Sequence, residues 1–120
     1  MDDITTDDMR LPAQHIDLNS LLIDNPIATF FVRVSGSSMI DAAIFDNDIL
    51  IINRALHARD GDFVIAALNG EFTVKELRLS PLQLIPHNKT MKPIDINGED
   101  QFELFGVVTG VVRQMRRTTP

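Results

Sequence analysis

Asn69-Gly70 lies between two runs rich in apolar and β-branched residues, Phe63 to Leu68 and Glu71 to Leu79. Both residues of the pair accept positive φ, which makes this the strongest two-residue hairpin signal in the chain. The pair predicts that the two runs fold back on each other as antiparallel strands. Around this ribbon the chain offers further strand-like segments. Ala28 to Val34 carries aromatic and β-branched residues, and Ile49 to Asn53 is apolar on both faces, as expected of a buried strand. Leu82 to Ile85 reads as a short strand, and Phe102 to Val112 as a closing strand with Gly106 and Gly110 as bulge sites.

The remaining segments read as connections. Asp17 can cap a short helix, Leu18 to Ile23, with Leu18, Leu21 and Leu22 on one face, and Pro26 stops it. Met39 to Phe45 carries no clear pattern, Asp46-Asn47-Asp48 is a turn, and His87 to Gly98 is a loop punctuated by Pro93 and an Asn-Gly pair. Residues 1 to 14 hold four aspartates and few apolar groups and are expected to form a mobile arm. The expectation is therefore a mainly β fold, one compact domain of mostly antiparallel strands over residues 15–120, preceded by a flexible arm at 1–14.

A chain of 120 residues can bury a core without disulfides or metal, and the absence of cysteine removes thiol chemistry and Cys-based zinc sites. That composition suits a reducing cytosol, so the expected compartment is the cytoplasm. No apolar run is long enough to span a membrane, and the first residues do not resemble a signal peptide. A net charge of −6 argues against gripping a phosphate backbone through the overall field, so no direct DNA binding is expected. The charge is uneven: Asp2, Asp3, Asp7 and Asp8 lead the chain, and Arg113, Arg116 and Arg117 close it. A solvated acidic arm and basic end is the plain reading.

Two places could carry chemistry. The apolar strand Phe30 to Val34 runs into Ser35-Gly36-Ser37-Ser38, a tight turn that presents Ser38 as a candidate nucleophile if a neighbouring group can take its proton. His15, His57 and His87 are the available histidines; all fall in or beside loops, none has an Asp at a diagnostic spacing, and ordinary surface residues are the expectation. They also lack the spacing of metal ligands, and neither a metal nor a cofactor is expected. Of the three lysines, Lys89 and Lys92 sit in a polar loop, whereas Lys75 lies inside the second hairpin strand with Thr73 and Leu77 on its face. A free lysine has a pKa near ~10.4, so the neutral amine costs about 4–5 kcal/mol at pH 7, and burial among apolar strands can remove most of that cost. An exposed strand lysine remains the competing reading of Lys75.

Taken together, Ser-Gly-Ser-Ser-Met around Ser38 and Gly-Glu-Phe-Thr-Val-Lys around Lys75 resemble the Ser–Lys site of the LexA/UmuD family of self-cleaving serine peptidases. The similarity extends in order through His15-Ile16-Asp17-Leu18-Asn19, Leu21-Leu22-Ile23, Ser38-Met39-Ile40-Asp41, Gly61 to Ala67, Leu84-Ile85-Pro86 and Phe105-Gly106-Val107-Val108, and looks most like the UmuD branch in its processed form. The resemblance implies Ser38 as nucleophile, Lys75 as general base and the backbone N–H groups of Ser37 and Ser38 as oxyanion donors, with Met39 a packing residue. It also implies an accessory subunit of the error-prone translesion DNA polymerase V in the SOS response. The partners implied are a second copy in a homodimer, a UmuC-type polymerase subunit and the RecA filament on single-stranded DNA.

Three departures qualify the match. UmuD-like proteins cut a Cys-Gly or Ala-Gly bond in their own arm, and none of the six glycines here follows Cys or Ala. The arm before Ile16 is short, so either a processed product or a naturally short homologue is expected, active at most in trans. Ser37 stands where relatives often carry an acidic residue. The helix-turn-helix domain of LexA has no counterpart in these residues, which disfavours a repressor. The alternatives are a non-catalytic β-rich dimerisation module, in which Ser38 and Lys75 are incidental, and a signal-peptidase-like protease, which would need a membrane anchor.

Overall fold

The computed structural model describes residues 17–115. The arm expected at 1–14, His15 and the terminal Arg116 and Arg117 lie outside the described residues. Among these residues one α-helix and seven strands are formed, α1 (Leu18–Leu22), β1 (Thr29–Arg33), β2 (Ile49–Asn53), β3 (Phe63–Leu68), β4 (Glu71–Leu79), β5 (Leu82–Ile85), β6 (Ile94–Asp95) and β7 (Phe102–Val112), with a short 3-10 helix (Ile40–Ala42) between β1 and β2. All seven strands join one antiparallel sheet in the order β1-β2-β7-β3-β4-β5-β6.

The hairpin forms where Asn69-Gly70 placed it. Both residues have positive φ, 50° and 87°, and the ladder runs from Leu68 opposite Glu71 to Phe63 opposite Glu76. The Asn69 side chain accepts from the Gln101 amide and donates to Asp100 Oδ1, which ties the turn to the entry of β7. Asp17 caps α1 by accepting from the Asn19 amide. The helix ends one residue earlier than expected, at Leu22, and its apolar face is not buried: Leu18 and Leu21 are exposed. Residues 87–98, read from sequence as loop throughout, contain β6, whose two residues pair with Gln83 and Leu84. Two residues flanked by Pro93 carry too little periodicity to be seen as a strand.

β7 is the spine, paired with β2 on one edge and with β3 on the other. Its two bulges fall beside the glycines rather than on them: the register skips Phe105 against β3 and Thr109 against β2. Gly106 is needed because a Cβ there would stand 2.5 Å from Ile52 Cγ2. Both faces of the sheet are covered. Met39, Ile44, Leu50, Ile52 and Ile65 form one cluster, and Val64, Ala66, Leu77 and Leu84 the other. Each buried side chain of this size contributes roughly 1.5–3 kcal/mol, and together they fix β3 and β4 from both sides.

The close approach at β7 has a measurable cost. Gly106→Ala is expected to destabilise by about 1–3 kcal/mol through overpacking against Ile52. Gly98→Ala, with open space around its added methyl, should stay within about 0.5 kcal/mol of wild type when both variants are unfolded with urea.

Candidate functional site

The nucleophile candidate is held by the continuation of β1. Beyond Arg33, the Val34 amide donates to the Asp48 carbonyl and the Val34 carbonyl accepts from the Asn47 amide, so the strand direction persists up to the turn. Gly36 then turns the chain with φ 104°, a conformation that strains any residue with a Cβ, and its amide donates to Asp46 Oδ1. Met39 follows, packed into the first core cluster at 1% exposure, and pins the far side of the turn. Ser38 lies between these two anchors and is half-buried.

Lys75 sits at the middle of β4. Its cross-strand partner Val64 and its neighbour Leu77 are both fully buried, and Lys75 itself is only 7% exposed. The exposed-lysine reading therefore does not describe this residue. Its Nζ lies 3.0 Å from Ser38 Oγ and also contacts Thr73 Oγ1 from the same face of the strand. Among the described residues no carboxylate pairs with it. Burial accordingly pushes the Lys75 pKa below its ordinary value of 10.5. As an ammonium the group can only donate to both hydroxyls. As a neutral amine it can donate to Thr73 while its lone pair accepts from Ser38, which is the configuration a proton acceptor needs.

The backbone around Ser38 is polarised in one direction. The Ser38 carbonyl accepts from the His87 amide at 2.8 Å and the Ser37 carbonyl from Asn88 Nδ2 at 2.9 Å. Among the described residues, neither the Ser37 nor the Ser38 amide donates to a protein acceptor. Two successive N–H groups without acceptors, beside a hydroxyl, can together receive one oxygen carrying negative charge.

Ser38 opens onto a cleft of about 400 Å³ that crosses one face of the sheet. Val32 and Val34, Leu50, Ile65, Phe105 and Val74 give it an apolar floor, and Ser35, Ser38 and Thr73 supply its hydroxyls. Phe72 and Arg33 complete the lining, so the trough is mainly apolar with hydroxyls and one cation among its walls.

Of the other residues considered from sequence, His57 is exposed in the loop between β2 and β3, and Lys89 and Lys92 are exposed. His87 departs from the expectation of an ordinary surface residue. It is half-buried, its Nε2 lies 2.8 Å from Glu76 Oε1, and its ring meets Phe63 edge to face. Thr73, Glu76 and Asn88 also belong to the site without having been assigned to it. Thr73 was visible in the two-residue strand period, whereas Glu76 and His87 meet only because β4 and β5 pair with Glu76 opposite Ile85.

The burial of Lys75 makes stability depend on pH with a definite sign. The unfolded chain binds a proton that the folded chain releases between the lowered pKa and 10.5, so the penalty is full below that window and fades as pH rises through it. Lys75→Met is therefore expected to stabilise the fold at pH 6, with the gain shrinking toward pH 10.5 in urea titrations. A gain of equal size at both pH values would show that the amine does not titrate against folding.

Comparison with known proteins places the chain in a family. The profile of the family described as Peptidase S24-like matches residues 3–109. Protein ImpA of Salmonella typhimurium is 42% identical over 109 residues, covering 86% of this chain and 71% of ImpA. Protein MucA of Escherichia coli is 43% identical over 98 residues, covering 80% of this chain and 67% of MucA. A LexA repressor of Oleidesulfovibrio alaskensis is 43% identical over 83 residues, covering 68% of this chain and 40% of the repressor. With the profile matching residues 3–109 and two such relatives matched over most of this chain, the protein belongs to the S24-like peptidase family, as a member of its UmuD type.

Proposed function

We propose that Ser38 and Lys75 form a Ser–Lys dyad for peptide-bond cleavage, and that the protein is a UmuD-like accessory subunit of an error-prone translesion DNA polymerase acting in the cytoplasm during the SOS response. The observation that carries the catalytic half is the 3.0 Å approach of Lys75 Nζ to Ser38 Oγ at the end of an apolar cleft. In this reading Ser38 Oγ attacks the scissile carbonyl and its proton passes to neutral Lys75. The Ser37 and Ser38 amides receive the oxyanion, and Lys75 then hands the proton to the departing amine. Water completes the cycle by hydrolysing the acyl-Ser38 ester. Thr73 Oγ1 accepts an N–H from Lys75 and so keeps the amine aimed with its lone pair toward Ser38.

The 120 residues contain no Cys-Gly or Ala-Gly bond, and the substrate class proposed for this dyad is the arm of a UmuD-like protein, which can be offered to the site in trans. The binding half of the proposal follows the UmuD type: a homodimer that engages a UmuC-type polymerase subunit and responds to the RecA filament on single-stranded DNA.

The catalytic half is tested by one experiment. The protein is mixed with a full-length relative whose own nucleophilic serine has been replaced by alanine, together with RecA, ATP and single-stranded DNA. A shortened relative is expected with wild type, and none with Ser38→Ala or Lys75→Ala. Absence of product with wild type, or equal product with Ser38→Ala, overturns the dyad and leaves the accessory role to be judged by co-purification with the polymerase subunit.

A further inference from the structure

Resting on the dyad reading above, we infer that Glu76 and His87 are positioning residues that set the distance between Lys75 and Ser38. Four links close a ring. Lys75 Nζ reaches Ser38 Oγ at 3.0 Å, the Ser38 carbonyl accepts from the His87 amide at 2.8 Å, and His87 Nε2 lies 2.8 Å from Glu76 Oε1. Glu76 is the residue next to Lys75 in β4, so the peptide bond between them closes the circuit.

Each link has a reason to be stiff. Glu76 is held on its second oxygen by Arg78 Nη2 at 3.5 Å, and its side chain is 18% exposed. The His87 ring packs edge to face on Phe63, with centroids 5.1 Å apart, and Phe63 lies directly across from Glu76 in the β3–β4 ladder. Pro86, buried just before His87, limits the backbone where the segment leaves β5. The same segment grips the nucleophile turn at three more points. The His87 carbonyl accepts from the Asp41 amide at 2.7 Å, Asn88 Nδ2 donates to the Ser37 carbonyl at 2.9 Å, and the Lys89 amide donates to Asp41 Oδ2 at 3.1 Å.

The turn that carries Ser38 belongs to the end of β1, and the amine that would activate it belongs to β4, four places away in the sheet order. No backbone hydrogen bond joins the two elements directly among the described residues. The strap at 87–89 bridges them: the β4–β5 ladder ends with Glu76 opposite Ile85, and beyond that last pair the Glu76–His87 contact fastens the strap to the strand of the base. Releasing it leaves both reacting groups in place but frees their separation, and a misplacement of about 1 Å can cost on the order of a hundredfold in rate.

The test reads the reaction of Ser38 with a serine-directed fluorophosphonate, by intact mass, across pH, with melting temperatures recorded in parallel. His87→Ala is expected to lower the plateau rate by about tenfold or more while leaving the pH midpoint, set by Lys75, where it was. His87→Gln, which keeps an N–H donor near the position of Nε2, should return to within about threefold of wild type. Glu76→Gln combined with His87→Ala should be no slower than His87→Ala alone, because both changes break the same link. Glu76→Gln alone preserves side-chain volume and serves if His87→Ala does not fold; its plateau should also fall with the midpoint fixed. A His87→Ala rate within twofold of wild type, a failure of His87→Gln to restore the rate, or additive losses in the double variant would overturn the positioning role. Wild type that reacts no faster than Ser38→Ala would instead overturn the dyad itself, and this inference with it.

Discussion

An amine taken out of water without a counter-charge is the constraint that the rest of this structure serves. Lys75 could lower its cost by reaching solvent, as lysines on most strands do, or by pairing with a carboxylate. The sheet denies it both: Val64 and Leu77 close in around it, and its contacts are the hydroxyls of Ser38 and Thr73. Hydroxyls solvate an amine without stabilising an ammonium as a carboxylate would, so the neutral form gains ground. The same burial that costs stability lowers the proton affinity of the amine.

The contrast with Asp48 separates a compensated buried charge from an uncompensated one. Asp48 is more deeply buried, at 2% exposure, yet Arg113 meets it through two hydrogen bonds of 2.7 Å and the Phe45 amide adds a third. Its carboxyl is held below the usual carboxylate range, chiefly by the Arg113 hydrogen bonds, and it stays charged. Arg113 also donates to the Ala43 carbonyl and stacks on Phe45, so the pair ties the end of β7 to the loop before β2. Compensation keeps Asp48 charged as a clamp, and its lack lowers the proton affinity of Lys75.

Rigidity around the site comes from unlike sources on its two sides. The amine side is fixed by packing, since β4 lies between two core clusters that hold it on both faces. The hydroxyl side is a turn, and turns are held by hydrogen bonds: Asp46 on the Gly36 amide, and His87, Asn88 and Lys89 along the 37–41 segment, with Met39 as the one apolar anchor. The bulges of β7 beside Gly106 and Gly110 add twist at the centre of the sheet, and Phe105, left unpaired by the first, lines the cleft.

Much of the local order was legible in the sequence because it depends on neighbours along the chain. Asn69-Gly70 fixed its hairpin through backbone preference, Asp17 its helix cap, and the apolar run Ile49 to Asn53 its buried strand. The two-residue strand period placed Lys75 beside Thr73, and the small residues after Val34 marked the turn of Ser38. Three things depended on the tertiary structure. Burial of Lys75 required strands on both sides of β4, the Glu76–His87 pair required the register of β4 on β5, and the exposure of the apolar face of α1 required knowing what the core left uncovered. Sequence period can say which way a side chain points, but whether it meets solvent, a counter-charge or another strand is decided by residues far away in the chain. For an ionisable group, that is what sets its proton affinity.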